Sequence, residues 1–266
     1  MPASARPHVL LVGCGKMGGA MLRGWLDGDS VAGVTVLEPG DLPFTDPRIT
    51  HRRSAERIGQ ADMTVLAIKP QVLPDVCTAL KPHISADLPV LSIAAGQTIA
   101  AIQAALHAGQ PVIRAMPNTP AAIGKGITAA VASAQAQASR AMADNLLAAG
   151  GPLVWLADES MMDAVTAVSG SGPAYVFYLI EALAAAGEKA GLPAAMAALL
   201  ARQTIIGAAA LAEADAQTPA PVLRENVTSP NGTTAAALSV LMDGRWQEIL
   251  TEAVQAAAAR SRALSD

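Results

Sequence analysis

The sequence is poor in cysteine, in aromatic residues and in charge. Its two cysteines, Cys14 and Cys77, are too few and too scattered for a disulfide framework or a zinc site, so no metal is expected. Charged residues make up 15% of the 266 residues and the net charge is −4, which argues against a disordered chain or a nucleic-acid-binding protein. With seven aromatic residues but 52% hydrophobic residues, alanine and medium-sized aliphatic side chains must fill the core.

Targeting and membrane-spanning segments are also expected to be absent. Residues 1–8 are polar and lead straight into a short apolar run, which does not fit a signal peptide. Charged residues and a proline interrupt the alanine-rich segment 182–212, namely Glu188, Lys189, Pro193 and Arg202. These interruptions are expected to exclude a membrane span. The composition predicts a soluble, cytoplasmic protein of one large domain or two moderate ones.

The first half of the chain carries the pattern of a dinucleotide-binding unit. The strand-like run 8–12 is followed by Gly13-Cys14-Gly15-Lys16-Met17-Gly18, by a helical pattern, and by a second strand-like run that ends at Glu38. In this G-x-G-x-x-G context the glycines permit a tight turn, close approach of the pyrophosphate, and packing of the helix on the sheet. The helix N-terminus supplies N–H groups to the phosphates.

The acidic residue after the second strand bears on the choice of cofactor. Glu38 is expected to accept hydrogen bonds from the adenosine ribose hydroxyls and to repel a 2′-phosphate, which favours NAD(H) over NADP(H). However, Arg48, Arg52 and Arg53 lie nearby in the sequence and could compensate for that repulsion. The cofactor is therefore predicted to be NAD or NADP.

Further strand-like runs predict a doubly wound, mostly parallel sheet of Rossmann type. They lie at 64–68, 90–93, 112–114, 126–131 and 153–155. Small or polar loops follow the first three, at the edge where open parallel sheets bind ligands. Ala94 and Ala95 leave room for a nicotinamide, and Lys69 and Asn118 can bond its ribose or carboxamide. The alternatives are a solvated lysine at a strand end and an asparagine that only forms a turn.

The second half is predicted to be entirely helical. Strand signals stop near Asp158, a candidate helix cap, which divides the chain into a dinucleotide-binding domain at 1–157 and a helical domain at 158–266. After a break at 169–175 another helix begins. Further helices are expected over 193–216, 219–226 and 233–264.

One turn in the helical half has the features of an anion site. The run 228–234 consists of small hydroxyl, amide and glycine residues around Pro230. Ser229 is restricted by the proline and Gly232 can take a positive φ, so the chain turns just before a helix that starts at about Thr233. Backbone N–H groups and hydroxyls meet there, as an anion requires. The alternative is an ordinary helix–helix loop with a Ser/Thr cap.

The chemical groups missing from this half limit the types of reaction that the protein could catalyse. Beyond residue 158 there is no histidine or cysteine, and Lys189 is the only lysine. A histidine general base and zinc ligands are therefore absent, and neither Tyr175 nor Tyr178 is followed by lysine four residues later. An imine needs least acid–base help, because a protonated C=N already accepts hydride. Thr234 could supply or steady one proton while the turn, with Asn226 before it, holds a carboxylate.

Six segments resemble those of the pyrroline-5-carboxylate reductases, in order along nearly the whole chain. They are VGCGKMGGAM (12–21), LAIKPQ (66–71), LSIAAG (91–96), VIRAMPNTP (112–120), VSGSGPAY (168–175) and VTSPNGTTAAAL (227–238). The resemblance implies hydride transfer from the reduced nicotinamide to the imine carbon of 1-pyrroline-5-carboxylate, giving L-proline. It also implies a helical domain that interlocks two chains, a homodimer or a ring of dimers, and an active site at the dimer interface.

The resemblance also assigns roles position by position. Residues that would contact the cofactor are Val12, Gly13, Cys14, Gly15, Lys16, Met17 and Gly18 at the pyrophosphate, Glu38 and Ser54 at the adenosine ribose, and Ala67, Ile68, Lys69, Pro70, Ile93, Ala94, Ala95 and Asn118 on the nicotinamide side. Residues that would hold the substrate are Asn226, Ser229, Gly232, Thr233 and Thr234, with Thr234 as the candidate catalytic proton donor. Family members often have asparagine near position 54, and those that prefer NADP(H) tend to have serine or arginine where this chain has Glu38.

Two other functions remain open on the sequence alone. One is a reductase of another small imino acid or of a β-hydroxyacid on the same two-domain plan, for which Lys189 is the only candidate catalytic lysine. The other is a non-catalytic subunit that senses NAD(H), although such a regulator has no need of a second anion site.

We predict that Glu38→Ser raises the kcat/KM for NADPH relative to that for NADH, because it removes a carboxylate near the 2′-phosphate. Initial rates with the two reduced cofactors measure the ratio. An unchanged ratio would remove Glu38 from cofactor selection.

Overall fold

The computed structural model describes residues 6–264, and the chain folds into two compact units. The first unit runs to Ser171 and includes the chain from Ala257 onward, and the second is Gly172–Ala256. The placement of the domain boundary at 157/158 stays a prediction.

The first unit is built on an eight-stranded sheet. Its strands are β1 His8–Val12, β2 Gly33–Leu37, β3 Ile49–Arg52, β4 Met63–Leu66, β5 Val90–Ser92, β6 Val112–Pro117, β7 Thr128–Ala132 and β8 Leu153–Trp155. The α-helices of the chain are α1 Lys16–Asp27, α2 Leu73–Leu80, α3 Ile99–Ala105, α4 Arg140–Leu147, α5 Met162–Val165, α6 Gly172–Lys189, α7 Ala194–Ala214, α8 Ala220–Asn226, α9 Thr233–Leu241 and α10 Arg245–Arg262.

The strand order is β3-β2-β1-β4-β5-β6-β7-β8, and every neighbouring pair is parallel except β6 and β7. The first six strands follow the order of the doubly wound dinucleotide-binding fold. The chain leaves β1 toward β2 and β3 on one side and returns to β4 on the other, so the strand order reverses between β1 and β4, which is where sheets of this kind have their ligand crevice. The predicted fold class, a mostly parallel α/β unit followed by a helical unit, is confirmed.

Both faces of the sheet are covered, because most positions of its central strands are apolar and buried. On β1, Val9 and Leu11 belong to a core cluster with Trp25 of α1, while Leu10 and Val12 belong to a second cluster with α2 and α3. Each large aliphatic side chain buried this way contributes about 1.5–3 kcal/mol relative to exposure. The Trp25 indole N–H donates to the carbonyl of Leu146 at 2.7 Å, which fixes α4 beside α1.

Strand β3 was not expected from the sequence. Its four residues, ITHR, have one large apolar side chain, and none of them is fully buried. The strand forms because it pairs in parallel with β2 at the edge of the sheet, from Val34 opposite Ile49 to Leu37 opposite Arg52. A strand held mainly by backbone hydrogen bonds to one neighbour leaves little trace in the hydrophobic pattern.

The helical unit follows the predicted elements with one correction. The predicted continuous helix over 233–264 is wrong, because the chain breaks between α9 and α10. Gly244 takes φ +102°, and the Asp243 carboxylate accepts a hydrogen bond from the N–H of Arg245 at 3.0 Å to start the new helix. Alanine richness made the pattern continuous, whereas a short Asp-Gly pair ends the first helix.

Helix α7 qualifies the expectation that no segment could span a membrane. It is 21 residues long with a mean hydropathy of 1.5, so by length and composition alone it could cross a bilayer. The interrupting residues Lys189 and Pro193 lie before it, and Arg202 lies within it. The helix packs against α6, where a Cβ on Gly187 would lie 3.2 Å from the Cβ of Ala197, so it also has a partner helix in its own unit.

Candidate active site

The predicted cofactor residues of the first unit gather at one edge of the sheet. The Gly13–Gly15 loop follows β1, Glu38 follows β2, and Ala67 follows β4. The residues predicted on the nicotinamide side lie at the same carboxyl edge, namely Ile68, Lys69 and Pro70 after β4, Ile93, Ala94 and Ala95 after β5, and Asn118 after β6. Parallel strands therefore bring residues that are distant in the sequence to one crevice. Their contacts with a cofactor stay predictions.

The glycine-rich loop leaves room for a ligand at only one of its three signature glycines. A Cβ on Gly13, which has φ +90°, would lie 2.6 Å from the carbonyl oxygen of Ala67, and one on Gly18 would lie 2.3 Å from that of Gly13. In contrast, a Cβ on Gly15 meets no atom within 4 Å. The first and third glycines thus pack loop, helix and β4 together, while the second borders open space where a pyrophosphate fits.

Helix α1 begins at this loop with its N–H groups available. Gly15 is its N-cap, no side chain caps it, and its first turn has no acidic residue. The first N–H groups of a helix have no carbonyl partner inside the helix, so Lys16 and Met17 present backbone donors to an anion. The residues present therefore fit a dinucleotide phosphate.

Glu38 lies against this same loop. Its Oε2 accepts a hydrogen bond from the N–H of Cys14 at 2.8 Å, and its Oε1 accepts one from the N–H of Gly40 at 3.1 Å. Each carboxylate oxygen has a second lone pair, so ribose hydroxyls can still be bound. Burial first, and the nearby Glu38 charge second, raise the pKa of the Cys14 thiol, which disfavours its thiolate form.

The loop after β5 is supported by the end of the chain. Ala94 is buried and Ala95 is exposed, and Gly96 takes φ +71°. A Cβ on Gly96 would lie 3.2 Å from the carbonyl oxygen of Leu264, so the segment after α10 passes directly over this loop. No sequence pattern pointed to this contact, because it joins positions far apart in the chain.

Asn118 both shapes a loop and retains a donor. Its Oδ1 accepts a hydrogen bond from the N–H of Ile127 at 3.0 Å, which holds the connection between β6 and β7. The side-chain NH₂ is the part that can donate to a ligand. Lys69, after β4, is exposed and precedes a short 3₁₀ turn at Pro70–Val72.

A π-helical turn that the sequence did not predict overlaps the start of the segment 168–175. Residues Thr166–Gly170 form it, with the N–H of Ser171 bonded to the carbonyl of Thr166 at 2.8 Å. A Cβ on Gly170 would lie 2.7 Å from the Cε of Met116, so the turn packs on the end of β6 beside Asn118. Such turns are frequent at functional sites. In the sequence, only the two glycines and two serines of VSGSGPAY indicated an irregular helix here.

An ion pair between a buried arginine and a partly exposed glutamate was also not expected from the sequence. The Arg114 guanidinium in β6 lies 2.9 Å from Oε1 of Glu159, and the same oxygen accepts a hydrogen bond from the N–H of Ile99 at 2.9 Å. The Arg114 side chain is only 6% exposed. The pair joins the sheet, the first turn of α3 and the start of the helical half. An arginine inside an apolar strand was its only sequence signal.

At the adenosine end of the edge, the structure separates three arginines that are close in sequence. Arg48 precedes β3 and pairs with Asp46 at 2.9 Å, so it lies at the amino-terminal end of the strand, away from the carboxyl edge where the ligand is expected. The expectation that Arg48 could bind a 2′-phosphate is therefore wrong. Arg52 and Arg53 come at the carboxyl end of β3, followed by the exposed Ser54.

In the helical unit, the predicted substrate residues lie around the turn between α8 and α9. Asn226 is the last residue of α8, and α9 starts at Thr233 with Gly232 as its N-cap and no side-chain cap. The N–H of Gly232 donates to the carbonyl of Ser229 at 3.0 Å, which closes the turn. Gly232 has φ −82°, and the left-handed residue of the turn is Asn231 at φ +57°, so the glycine is needed for space.

The reason for a glycine at 232 is a close contact. A Cβ there would lie 2.7 Å from Oγ of Ser229 and 3.1 Å from its carbonyl oxygen. The Thr228 hydroxyl donates to the carbonyl of Arg224 at 2.6 Å and belongs to the end of α8, whereas Thr234 is half-buried in the first turn of α9. The turn therefore presents N–H groups and hydroxyls together, as an anion site requires.

The strand order, the glycine contacts and the carboxylate after β2 make the first unit that of a nicotinamide-dinucleotide-dependent oxidoreductase. Two family profiles match the chain: one for the dimerisation region of pyrroline-5-carboxylate reductase, at residues 159–264, and one for F420-dependent NADP oxidoreductases, at residues 8–96.

A pyrroline-5-carboxylate reductase of Pseudomonas aeruginosa is 39% identical over 98% of this chain and 97% of the relative. Among solved structures, a pyrroline-5-carboxylate reductase of Coxiella burnetii matches with a TM-score of 0.91 and 32% identity, covering 98% of this chain and 99% of that one. The Plasmodium falciparum enzyme with NADP bound matches with a TM-score of 0.83 and 26% identity, over 99% and 100% of the two chains. The chain belongs to the pyrroline-5-carboxylate reductase family.

We predict that Gly18→Ala raises the Kd for NADH at least about tenfold, because the added methyl group pushes α1 away from the loop. Gly19→Ala is the matched control, since its Cβ would meet nothing closer than the Cys14 carbonyl oxygen at 3.6 Å. That control should bind NADH normally and gain up to about 1 kcal/mol in free energy of unfolding. Fluorescence titration and urea denaturation measure both; equal Kd values would contradict the packing role of Gly18.

Proposed function

We propose that this protein reduces 1-pyrroline-5-carboxylate to L-proline with NADPH or NADH, the last step of proline biosynthesis. One observation carries the proposal: this chain combines a glycine-rich loop that has open space at Gly15 with a turn at 228–234 whose N–H groups no side chain caps. Relatives named pyrroline-5-carboxylate reductase that span nearly the whole chain support it.

The cofactor, when bound, supplies the hydride that the imine carbon accepts, and one proton completes the amine. The chain's own contribution is to bind and orient both molecules and to provide that proton. Gly13 to Gly18 would hold the pyrophosphate at the start of α1, Glu38 would bind the adenosine ribose, and the loops after β4, β5 and β6 would position the nicotinamide.

The turn at 228–234 would hold the substrate. Its N–H groups at the start of α9 suit a carboxylate, and Asn226 and Thr233 would hold the carboxylate and the ring nitrogen. Thr234 is the candidate proton donor, because its hydroxyl lies in the first turn of the same helix. An imine nitrogen is basic enough to take that proton without a strong acid, which fits the lack of histidine and cysteine beyond residue 158.

We further propose that two copies form the working enzyme, with the active site at their interface and rings of dimers as a higher assembly. The helical unit exposes many large apolar side chains in the single chain, among them Phe177 at 60%, Leu199 at 65% and Ile249 at 62%. An exposed apolar surface of this extent is typical of an interaction surface. The predicted location is the cytoplasm.

The test is the oxidation of NADPH or NADH by the purified protein in the presence of 1-pyrroline-5-carboxylate, followed by absorbance of the reduced nicotinamide, with proline identified as the product. Activity with either cofactor is expected. Absence of activity in a protein that binds the cofactor would overturn the proposal. The β-hydroxyacid alternative requires Lys189, so unchanged activity in Lys189→Ala would count against that reading.

We predict that Thr234→Ala lowers kcat by about tenfold to a hundredfold, as expected for loss of one positioned hydrogen bond or proton donor. Thr234→Ser keeps the hydroxyl and is the conservative control, which should retain most of the rate. Steady-state kinetics on both variants check this. An alanine variant with the rate of the unmodified chain would assign Thr234 to packing alone.

A further inference from the structure

Residues of opposite charge follow the ends of β2 and β3. Because the two strands are parallel and Leu37 pairs with Arg52, the residues that follow them emerge side by side at the carboxyl edge. The N–H of Glu38 donates to the carbonyl of Arg52 at 2.9 Å. Glu38 and Arg53 thus lie next to each other although fifteen positions separate them in the sequence.

The Glu38 carboxylate is directed toward the glycine-rich loop. The N–H groups of Cys14 and Gly40 hold its two oxygens, at 2.8 and 3.1 Å. The carboxylate is therefore fixed by two backbone donors, and no arginine neutralises it among the ion pairs of residues 6–264.

Arg53 lies across the connection between the two strands. Its Nη1 donates to the carbonyl of Pro39 at 2.5 Å, and its Nη2 lies 2.5 Å from Oδ1 of Asp41. The side chains of Arg53 and Asp41 are 60% and 92% exposed, so water competes strongly for this pair. An exposed pair of this kind contributes little to stability, and a better anion can replace the carboxylate.

Arg52, the arginine next to it in the chain, is less available. Arg52 donates from Nε to the carbonyl of Arg57 at 3.2 Å and from Nη1 to the carbonyl of His51 at 3.1 Å, so its guanidinium supports its own loop. Arg53 instead has one backbone partner and one exchangeable carboxylate partner. A phosphate dianion offers a guanidinium the bidentate partner that it binds most strongly.

NADPH differs from NADH only by a phosphate on O2′ of the adenosine ribose, and in this fold the residues after the second strand face that ribose. We propose that Arg53 is the residue through which this chain accepts the 2′-phosphate of NADPH, and that Asp41 is the counter-ion that competes with the phosphate for it. Glu38 disfavours the phosphate, whereas Arg53 exchanges Asp41 for it. The inference rests on the proposed use of a nicotinamide dinucleotide.

Direct binding to the full-length chain tests the proposal without any turnover. Fluorescence titration gives the Kd of NADPH and of NADH for Arg53→Gln, Asp41→Asn and the control Arg57→Gln, which removes the same charge from the same loop. Arg53→Gln should raise the Kd of NADPH about tenfold and leave that of NADH within about twofold. Asp41→Asn should lower the Kd of NADPH about threefold with no change for NADH.

Competition with 2′,5′-ADP and 5′-AMP isolates the phosphate itself. Arg53→Gln should weaken binding of 2′,5′-ADP and leave 5′-AMP unchanged. Equal effects on both nucleotides, or the same loss in Arg57→Gln, would overturn the role of Arg53. Selective loss of NADPH binding in a protein that does not reduce the imine would support this inference and reject the proposed reaction. Normal imine reduction together with an unchanged ratio of the NADPH and NADH Kd values in Arg53→Gln would support the proposed reaction and reject the role of Arg53.

Discussion

The site in the first unit depends on how closely α1 approaches the end of β1. Gly18 lies so near the Gly13 carbonyl that a methyl group would be 2.3 Å from it, and a methyl group on Gly13 would be 2.6 Å from the carbonyl oxygen of Ala67 after β4. These contacts bring the first turn of α1 down onto the point where the strand order reverses. The N–H groups of that turn, the carboxylate of Glu38 and the loops after β4 and β5 then border one crevice. Bulk at either glycine would separate them.

The charged groups at this edge fall into two sets, the Glu38 carboxylate and the Arg53–Asp41 pair. The N–H of Cys14 in the glycine-rich loop and the N–H of Gly40 hold the Glu38 carboxylate, while the exposed Arg53 pairs with Asp41. Replacing Glu38 therefore changes both the repulsion of a phosphate and the support of the loop. For this reason the ratio of kcat/KM for NADPH to kcat/KM for NADH is more informative than the rate with either cofactor alone. Cofactor choice in this chain becomes a balance between a fixed anion and an exchangeable cation.

Much of the fold was predictable, and the errors have physical causes. Seven of the eight strands correspond to apolar runs bounded by glycine, proline or polar loops, and in six of them, all but β8, the residues are largely buried. Strand β3 left none, since backbone pairing to β2 at the sheet edge is what holds it. The break at Gly244 was hidden by alanines on both sides, and the π-helical turn depends on packing of Gly170 against Met116.

The sequence by itself determined the class of the protein. The glycine spacing, the acidic residue after the second strand and the turn at 228–234 are local, because each depends on backbone freedom or on residues within a few positions. The tertiary structure decided what depends on distant partners. It brought Leu264 over Gly96, joined Arg114 to Glu159, and sent Arg48 to one edge of the sheet and Arg53 to the other. Strand pairing sets such neighbours, and no periodicity along one chain segment records them.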